Sequence, residues 1–311
     1  MKKIIALLGV CLFLAVGCKD NKEVGAENVN SMEQANMIIA YTNSVVDYMN
    51  DANSKISSNE STFDRLLKIA DKKKVKSYEI PHATSLTDFG LGVNKDDKDK
   101  IIQPPTVLSV EEQEFFKEKV TAYRESYNKL RGEAITYIKY LKNEDYKDDN
   151  WAKAKEYADN IEKYYNECME TRPLISAKID VVTERAEEII LADSPIKDAI
   201  MTVKADLKGV QNLVNTFYIH DEEGGKKEEL DKLYKELETN LEKHKGMYVD
   251  ELTKENSLDS YVSFYSSVIN NLGDVRKVLR KVKEGKKLND SDFRSLSSIN
   301  NDAVGSYNRF I

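Results

Sequence analysis

The residues able to do chemistry fall into a few groups, and the densest is basic. Arg276, Lys277, Arg280, Lys281, Lys283, Lys286 and Lys287 crowd twelve positions of a chain whose formal net charge is −7. Cations at the end of a helix offset the partial negative charge of its last carbonyls, which accounts for part of the cluster. The functional reading is contact of Arg276, Lys277, Arg280, Lys281 and Lys283 with an anionic surface, lipid headgroups or an acidic envelope polymer. Three histidines, His82, His220 and His244, are scattered. None stands in an HxxxH pair, and a zinc site needs three or four converging ligands. Glu184, Glu187 and Glu188, and Glu228, Glu229 and Glu236, are carboxylates of the kind that serve acid–base work or bind two irons. They lie opposite apolar stripes and read as solvated faces supported by nearby Lys. The run 94–99 fails as a calcium loop, with no Gly at its sixth position and Pro105 where the bidentate Glu belongs. No GxSxG or phosphate-cradling Gly loop is present. The sequence therefore predicts no enzyme, and no catalytic residue, metal or cofactor.

One further residue carries chemistry through its position. Lys2 and Lys3 precede an apolar run from Ile4 to Val16 of signal-peptide length, shorter than the roughly 20 residues that span a bilayer. It ends in Leu14-Ala15-Val16-Gly17-Cys18, which resembles the lipobox of bacterial lipoproteins, with Ala15 where Leu is more usual. The resemblance implies that residues 1–17 are a signal peptide and that Cys18 becomes the acylated, palmitate-bearing first residue. Acyl chains would then hold the chain to a membrane, and residues 18–31, polar and small, would form a tether. Lys19 in place of Asp favours the outer membrane, facing the periplasm or the outside. Loss of Lys2 and Lys3 lowers the charge from −7 to −9. Cys11 leaves with the signal and Cys18 carries lipid, so Cys168 is the one ordinary thiol. It has no disulfide partner and reads as a small buried residue.

These groups must be positioned by helices. Ile38, Tyr41, Val45, Tyr48, Ala52 and Ile56 share one face at helical spacing. Phe116, Val120, Tyr123, Tyr127, Leu130, Ala134, Tyr137 and Leu141 alternate steps of four and three. Ile196 to Phe217 and Leu258 to Val282 repeat the pattern, and no comparable run alternates with period two. Ser109 before Glu112 and Asn289-Asp290 are start signals, as is Ser194 before Pro195. Thr171-Arg172-Pro173 and Gly224-Gly225 read as breaks. The expected fold is all-α: an elongated antiparallel bundle of about six to eight long amphipathic helices, one domain over 32–311. Residues 72–108, with Pro81, Pro104 and Pro105 and no stripe, read as a loop insertion wrapped on the bundle, Phe89 and Leu91 its anchors.

Composition sets the outer limits. The chain has 311 residues, 41% hydrophobic, with 13 Gly, enough to bury a core and too few glycines for a turn-rich β fold. Its acidity argues against a nucleic-acid partner. Ile38-Ile39-Ala40-Tyr41-Thr42-Asn43 and Val304-Gly305-Ser306-Tyr307-Asn308-Arg309-Phe310-Ile311 resemble the opening and closing helices of YiiG-like bacterial lipoproteins, a likeness running from about Met32 to Ile311. It implies an all-helical, lipid-anchored envelope protein and lends no catalytic residues. The expected function is a non-catalytic binding or scaffolding role in the cell envelope, as a monomer, with an envelope protein or polymer as partner. The alternative is a ligand-binding lipoprotein with an inter-helical pocket gated by 72–108.

Overall fold

The structure, a computed structural model, describes residues 26–82, Leu86 and 97–311, with side chains from Met32 onward except at 97 and 98. Cys18, its lipobox, Phe89 and Leu91 lie outside the described residues. Every long element among the described residues is an α-helix, as the stripes require. The helices are α1 (Ala26–Lys72), α2 (Asp97–Lys100), α3 (Val110–Lys142), α4 (Ala152–Ile190), α5 (Lys197–Glu223), α6 (Lys227–His244), α7 (Val249–Lys254), α8 (Leu258–Lys283) and α9 (Asp290–Phe310). Helix α1 begins at Ala26, inside the stretch read as tether. Where the sequence predicts one domain over 32–311, the helices group into two units, Glu33–Ala186 and Glu187–Ile311.

The first unit is built from α1, α3 and most of α4. The two expected stripes are buried along their whole length, from Ile38 to Ile56 and from Phe116 to Leu141. The α1 stripe runs on through Phe63, Leu66 and Ile69. Tyrosines do much of the joining: Tyr41 meets Phe116 edge-on at 5.5 Å and Tyr48 meets Tyr123 at 6.4 Å. These pairs advance together, so α1 and α3 run parallel. Helix α4 opposes both, with Tyr165 against Phe63 and Arg172 reaching Asn50 from the α1 side, and Ser126 donating to Glu167 at 2.6 Å from α3. The antiparallel expectation thus holds for α4 and not for α1 against α3.

The segment after α1 explains why. A parallel neighbour requires the chain to travel back before starting α3. Leu86 is buried, and its carbonyl accepts from Arg131 Nε at 2.9 Å. Ile101 is buried, and its carbonyl accepts from Tyr41 Oη at 3.0 Å. At its described residues, Leu86 and then Ile101, the expected insertion therefore returns along the bundle. Ser109 then starts α3 by accepting from Glu112 N, while Glu112 accepts from Ser109 N, a reciprocal cap.

Pro173 does not break α4. The buried series Ile161, Tyr165, Cys168, Arg172, Ile175, Ile179, Val182 and Ala186 passes through it in steps of four and three. Proline removes one backbone donor and crowds the preceding turn; a continuous buried face on both sides outweighs that local cost. The start read at Ser194-Pro195 is also displaced. Helix α5 begins at Lys197, whose N–H is bonded to the Ser194 carbonyl instead of the hydroxyl.

The second unit is a four-helix arrangement of α5, α6, α8 and α9. Gly209 lets α5 approach α6: a Cβ there would sit 3.2 Å from Leu237 Cδ1. Tyr218 stacks on Phe293 at 5.0 Å, setting α9 antiparallel to α5. Asn289 caps α9 by accepting from Ser291 N and Asp292 N. Near the end of the chain, Tyr307 and Phe310 are buried against this core. Asn300 sits in the same core at 1% exposure, and neither its amide nitrogen nor its oxygen makes a hydrogen bond.

Candidate functional site

The basic cluster singled out in the sequence lies at the C-terminal end of α8 and is largely neutralised. Arg276 donates to Tyr234 Oη at 3.0 Å and pairs with Glu238 from α6. Lys277 pairs with Asp274 at 2.7 Å, Lys281 with Asp292 of α9 at 2.6 Å, and Lys283 with Asp231 of α6. Arg280 is exposed and lies in the field of Glu284. A shallow groove of about 380 Å³ beside Arg276 is lined by Glu238 and Glu242 as well, so it carries no net positive invitation. Exposed pairs of this kind contribute at most about 1 kcal/mol each; their main effect is to remove free charge from this end of the helix.

A second basic cluster escaped the sequence reading although its signal was in plain sight, in Lys72-Lys73-Lys74-Val75-Lys76. From Arg65 to Glu79, six cations stand against Asp71 and Glu79, a local balance of +4 on an acidic chain. Helix α1 places Arg65, Lys68, Ile69 and Lys72 on one face at steps of three and four. Lys73 then takes a left-handed conformation with φ 48, where Gly or Asn is usual at a helix end. That conformation costs a non-Gly residue roughly 1–2 kcal/mol. It turns the chain so that Lys74 and the short 3-10 turn Ser77–Glu79 come back toward the last turns of α1. Glu79 steadies the turn by accepting from Lys76 N at 2.7 Å.

The result is a cleft of about 430 Å³ with Ile69 as its buried floor and Arg65, Lys68, Lys72 and Lys74 around it. Tyr78 forms a rim, 74% exposed, with the Lys76 ammonium 5.5 Å from its ring centre. Among the described residues, none of the four lining cations is in an ion pair or a side-chain hydrogen bond. Arg65–Lys68 and Lys68–Lys72 are like-charge neighbours on a helix, each costing about 0.2–0.5 kcal/mol. The helix dipole accounts for Lys72 and Lys74; its influence has faded by Lys68 and Arg65, one and two turns back.

The remaining candidates are structural. His82 is exposed, and His220 accepts from Lys226 N at 3.1 Å across the Gly224-Gly225 turn. His244 Nδ1 lies 2.8 Å from Asp206 Oδ2, a buried carboxylate that also accepts from Tyr265 at 2.9 Å. Glu187 departs from the solvated face expected of it: its side chain is 1% exposed and paired with Lys204, itself 6% exposed. The signal in the sequence is Lys204 beside the stripe residues Ile200, Val203 and Leu207, at i+4 from Ile200. Cys168 is buried, and that burial pushes its thiol up to about 12, with Glu167 adding to the shift. Asp99, at the end of the failed calcium loop, accepts from Arg124 at 2.8 Å. Among the described residues, no three His, Cys, Asp or Glu converge as a metal site would need, and no helix is long and apolar enough to cross a membrane.

Two crystal structures share the fold. An α-helical protein from Bacteroides fragilis is 22% identical, with a TM-score of 0.59, over 90% of this chain and 100% of its own. An uncharacterized DUF3829-like protein from Bacteroides thetaiotaomicron is 18% identical, with a TM-score of 0.54, over 89% of this chain and 99% of its own. No protein-family model matches the chain, and no curated protein sequence does.

Proposed function

We propose that the chain is a lipid-anchored, non-catalytic binding protein of the bacterial cell envelope, held by acyl chains on Cys18 at the outer membrane and presenting a monomeric helical body. One observation carries the binding role. The cleft at the end of α1 gathers four cations that stand in no ion pair among the described residues, against a buried apolar floor. It opens at the start of the 72–108 segment, which favours a ligand-binding form over a pure scaffold. The likeness of 38–43 and 304–311 to YiiG-like lipoproteins supports the envelope setting. Lys19 after Cys18 supports the outer membrane.

Two measurements test the proposal in native cells. Cys18→Ser should abolish labelling by a fatty-acid analogue and release the protein from membranes; persistence of both would reject the anchor. A photo-crosslinking amino acid at Tyr78 should capture an adduct that the same group at Lys277 does not. Matching adducts at both positions, or none at Tyr78, would reject binding at the cleft.

A further inference from the structure

We infer that the α1 cleft takes a small organic polyanion, one carrying two or more phosphate or carboxylate groups. This rests on reading the chain as a binding protein and extends it to the class of ligand. The size fits: clefts of a few hundred Å³ are typical of small-molecule sites, and this one measures about 430 Å³. The charge is arranged for a compact target, because Arg65, Lys68 and Lys72 stand on successive turns of one face while Lys74 returns from beyond the helix end. A single anionic group reaches only one or two of these, whereas two linked groups reach several at once. Arg65 supplies a planar fork for bidentate pairing, and the lysines supply point charges. Ile69 and the ring of Tyr78 add apolar contact for a carbon skeleton. Glu79, at the edge, sets a limit on how far negative charge can extend toward the 3-10 turn.

The contrast with α8 is what makes this specific. Both helix ends are rich in Lys and Arg, yet the α8 cations are matched by Asp231, Glu238, Asp274 and Asp292. Among the described residues, the cations lining the α1 cleft have no such partners. Among the described residues, the four cations lining the α1 cleft can offer their charge to a ligand without first breaking an ion pair, whereas Arg276, Lys277, Lys281 and Lys283 cannot.

The test is calorimetric titration of the mature lipidated chain in phosphatidylcholine nanodiscs. Pyrophosphate should bind saturably at one site and more tightly than orthophosphate, and affinity should fall as salt rises because exposed charges are screened. Lys68→Gln/Lys72→Gln should weaken pyrophosphate binding at least tenfold, Lys68→Arg/Lys72→Arg should retain it, and Lys277→Gln/Lys283→Gln should change it less than twofold. Equal weakening in both Gln variants would mean general attraction and overturn the inference. So would binding to phosphatidylglycerol vesicles through Lys68 and Lys72 with no saturable pyrophosphate heat, which would make the patch membrane-facing. A neutral adduct at Tyr78 in the crosslinking experiment would keep the binding role and overturn only the polyanion.

Discussion

Breaking the Glu187–Lys204 pair from one side should be far worse than removing it whole. Both side chains are almost out of solvent, at 1% and 6% exposed, where α4 meets α5. In Lys204→Met the Glu187 carboxylate keeps its desolvation cost and loses its counter-charge. Nearby, the buried Tyr307 hydroxyl makes no hydrogen bond, and the negative charge of Glu187 adds to the burial that already disfavours its ionisation. Losing one member of a buried pair typically costs about 3–5 kcal/mol. With a urea slope near 2 kcal/mol/M, that moves the midpoint down by about 2 M. Glu187→Leu should cost a similar amount, because it strands the ammonium. The double variant Glu187→Leu/Lys204→Met should return to within about 1 kcal/mol of the parent, since well-packed apolar replacements of a buried pair are commonly neutral or better. Urea unfolding followed by the near-ultraviolet dichroism of the tyrosines completes the cycle. Single-variant losses below about 1 kcal/mol, the range of an exposed pair, would refute the argument. A double variant as unstable as the sum of its parts would do the same.

Three further outcomes follow from features of the core. Asn300→Leu should raise stability by about 1–2 kcal/mol in urea titration, because it removes a buried amide that makes no hydrogen bond; a loss would mean the amide is satisfied after all. Pro173→Ala should stabilise by about 1–3 kcal/mol by restoring a backbone donor within α4, and a destabilised variant would show that the packing depends on the proline's distortion. Arg185 holds the Glu112 carboxyl below its usual 4.5, helped by the Ser109 backbone. A depressed carboxyl contributes stability above its unfolded value, and loses it as pH falls through the folded one. Arg185→Gln should therefore cost up to about 1 kcal/mol at pH 7, the side chain being half exposed. The gap between variant and parent should close as pH falls through the folded value of Glu112, below its usual 4.5; a constant gap would assign Arg185 a packing role only.

The helices were legible because burial repeats. The stripes 116–141 and 258–282 can be read from residue type alone, and caps such as Ser109 and Asn289 mark their starts. Pro173 signals a break by its one missing donor, yet the buried face from Ile161 to Ala186 continues through it and outweighs that local cost. The path of α1 against α3 could not be read, since parallel and antiparallel neighbours present the same amphipathic face. Glu187 was misplaced for a related reason: its environment depends on Lys204 and Tyr307, residues distant in sequence. The candidate cleft was half legible. The run 72–76 announces charge, yet only the structure separates cations that meet acids, as at Lys283, from cations that do not, as at Lys68.

The return path between α1 and α3 also bears on the order in which the chain acquires structure. In the second unit successive helices are joined by short turns, so partners meet soon after synthesis, as with His244 and Tyr261 seventeen positions apart. In the first unit Tyr123 meets Met49 across 74 positions and Arg172 meets Asn50 across 122. Closing such long loops slows folding. Although α1 is made before its partners, it must wait for α3 before Tyr48 meets Tyr123 and for α4 before Phe63 meets Tyr165. The second unit should thus reach its native contacts faster once synthesised, and α1 is the surface a holding chaperone would meet before α4 is made.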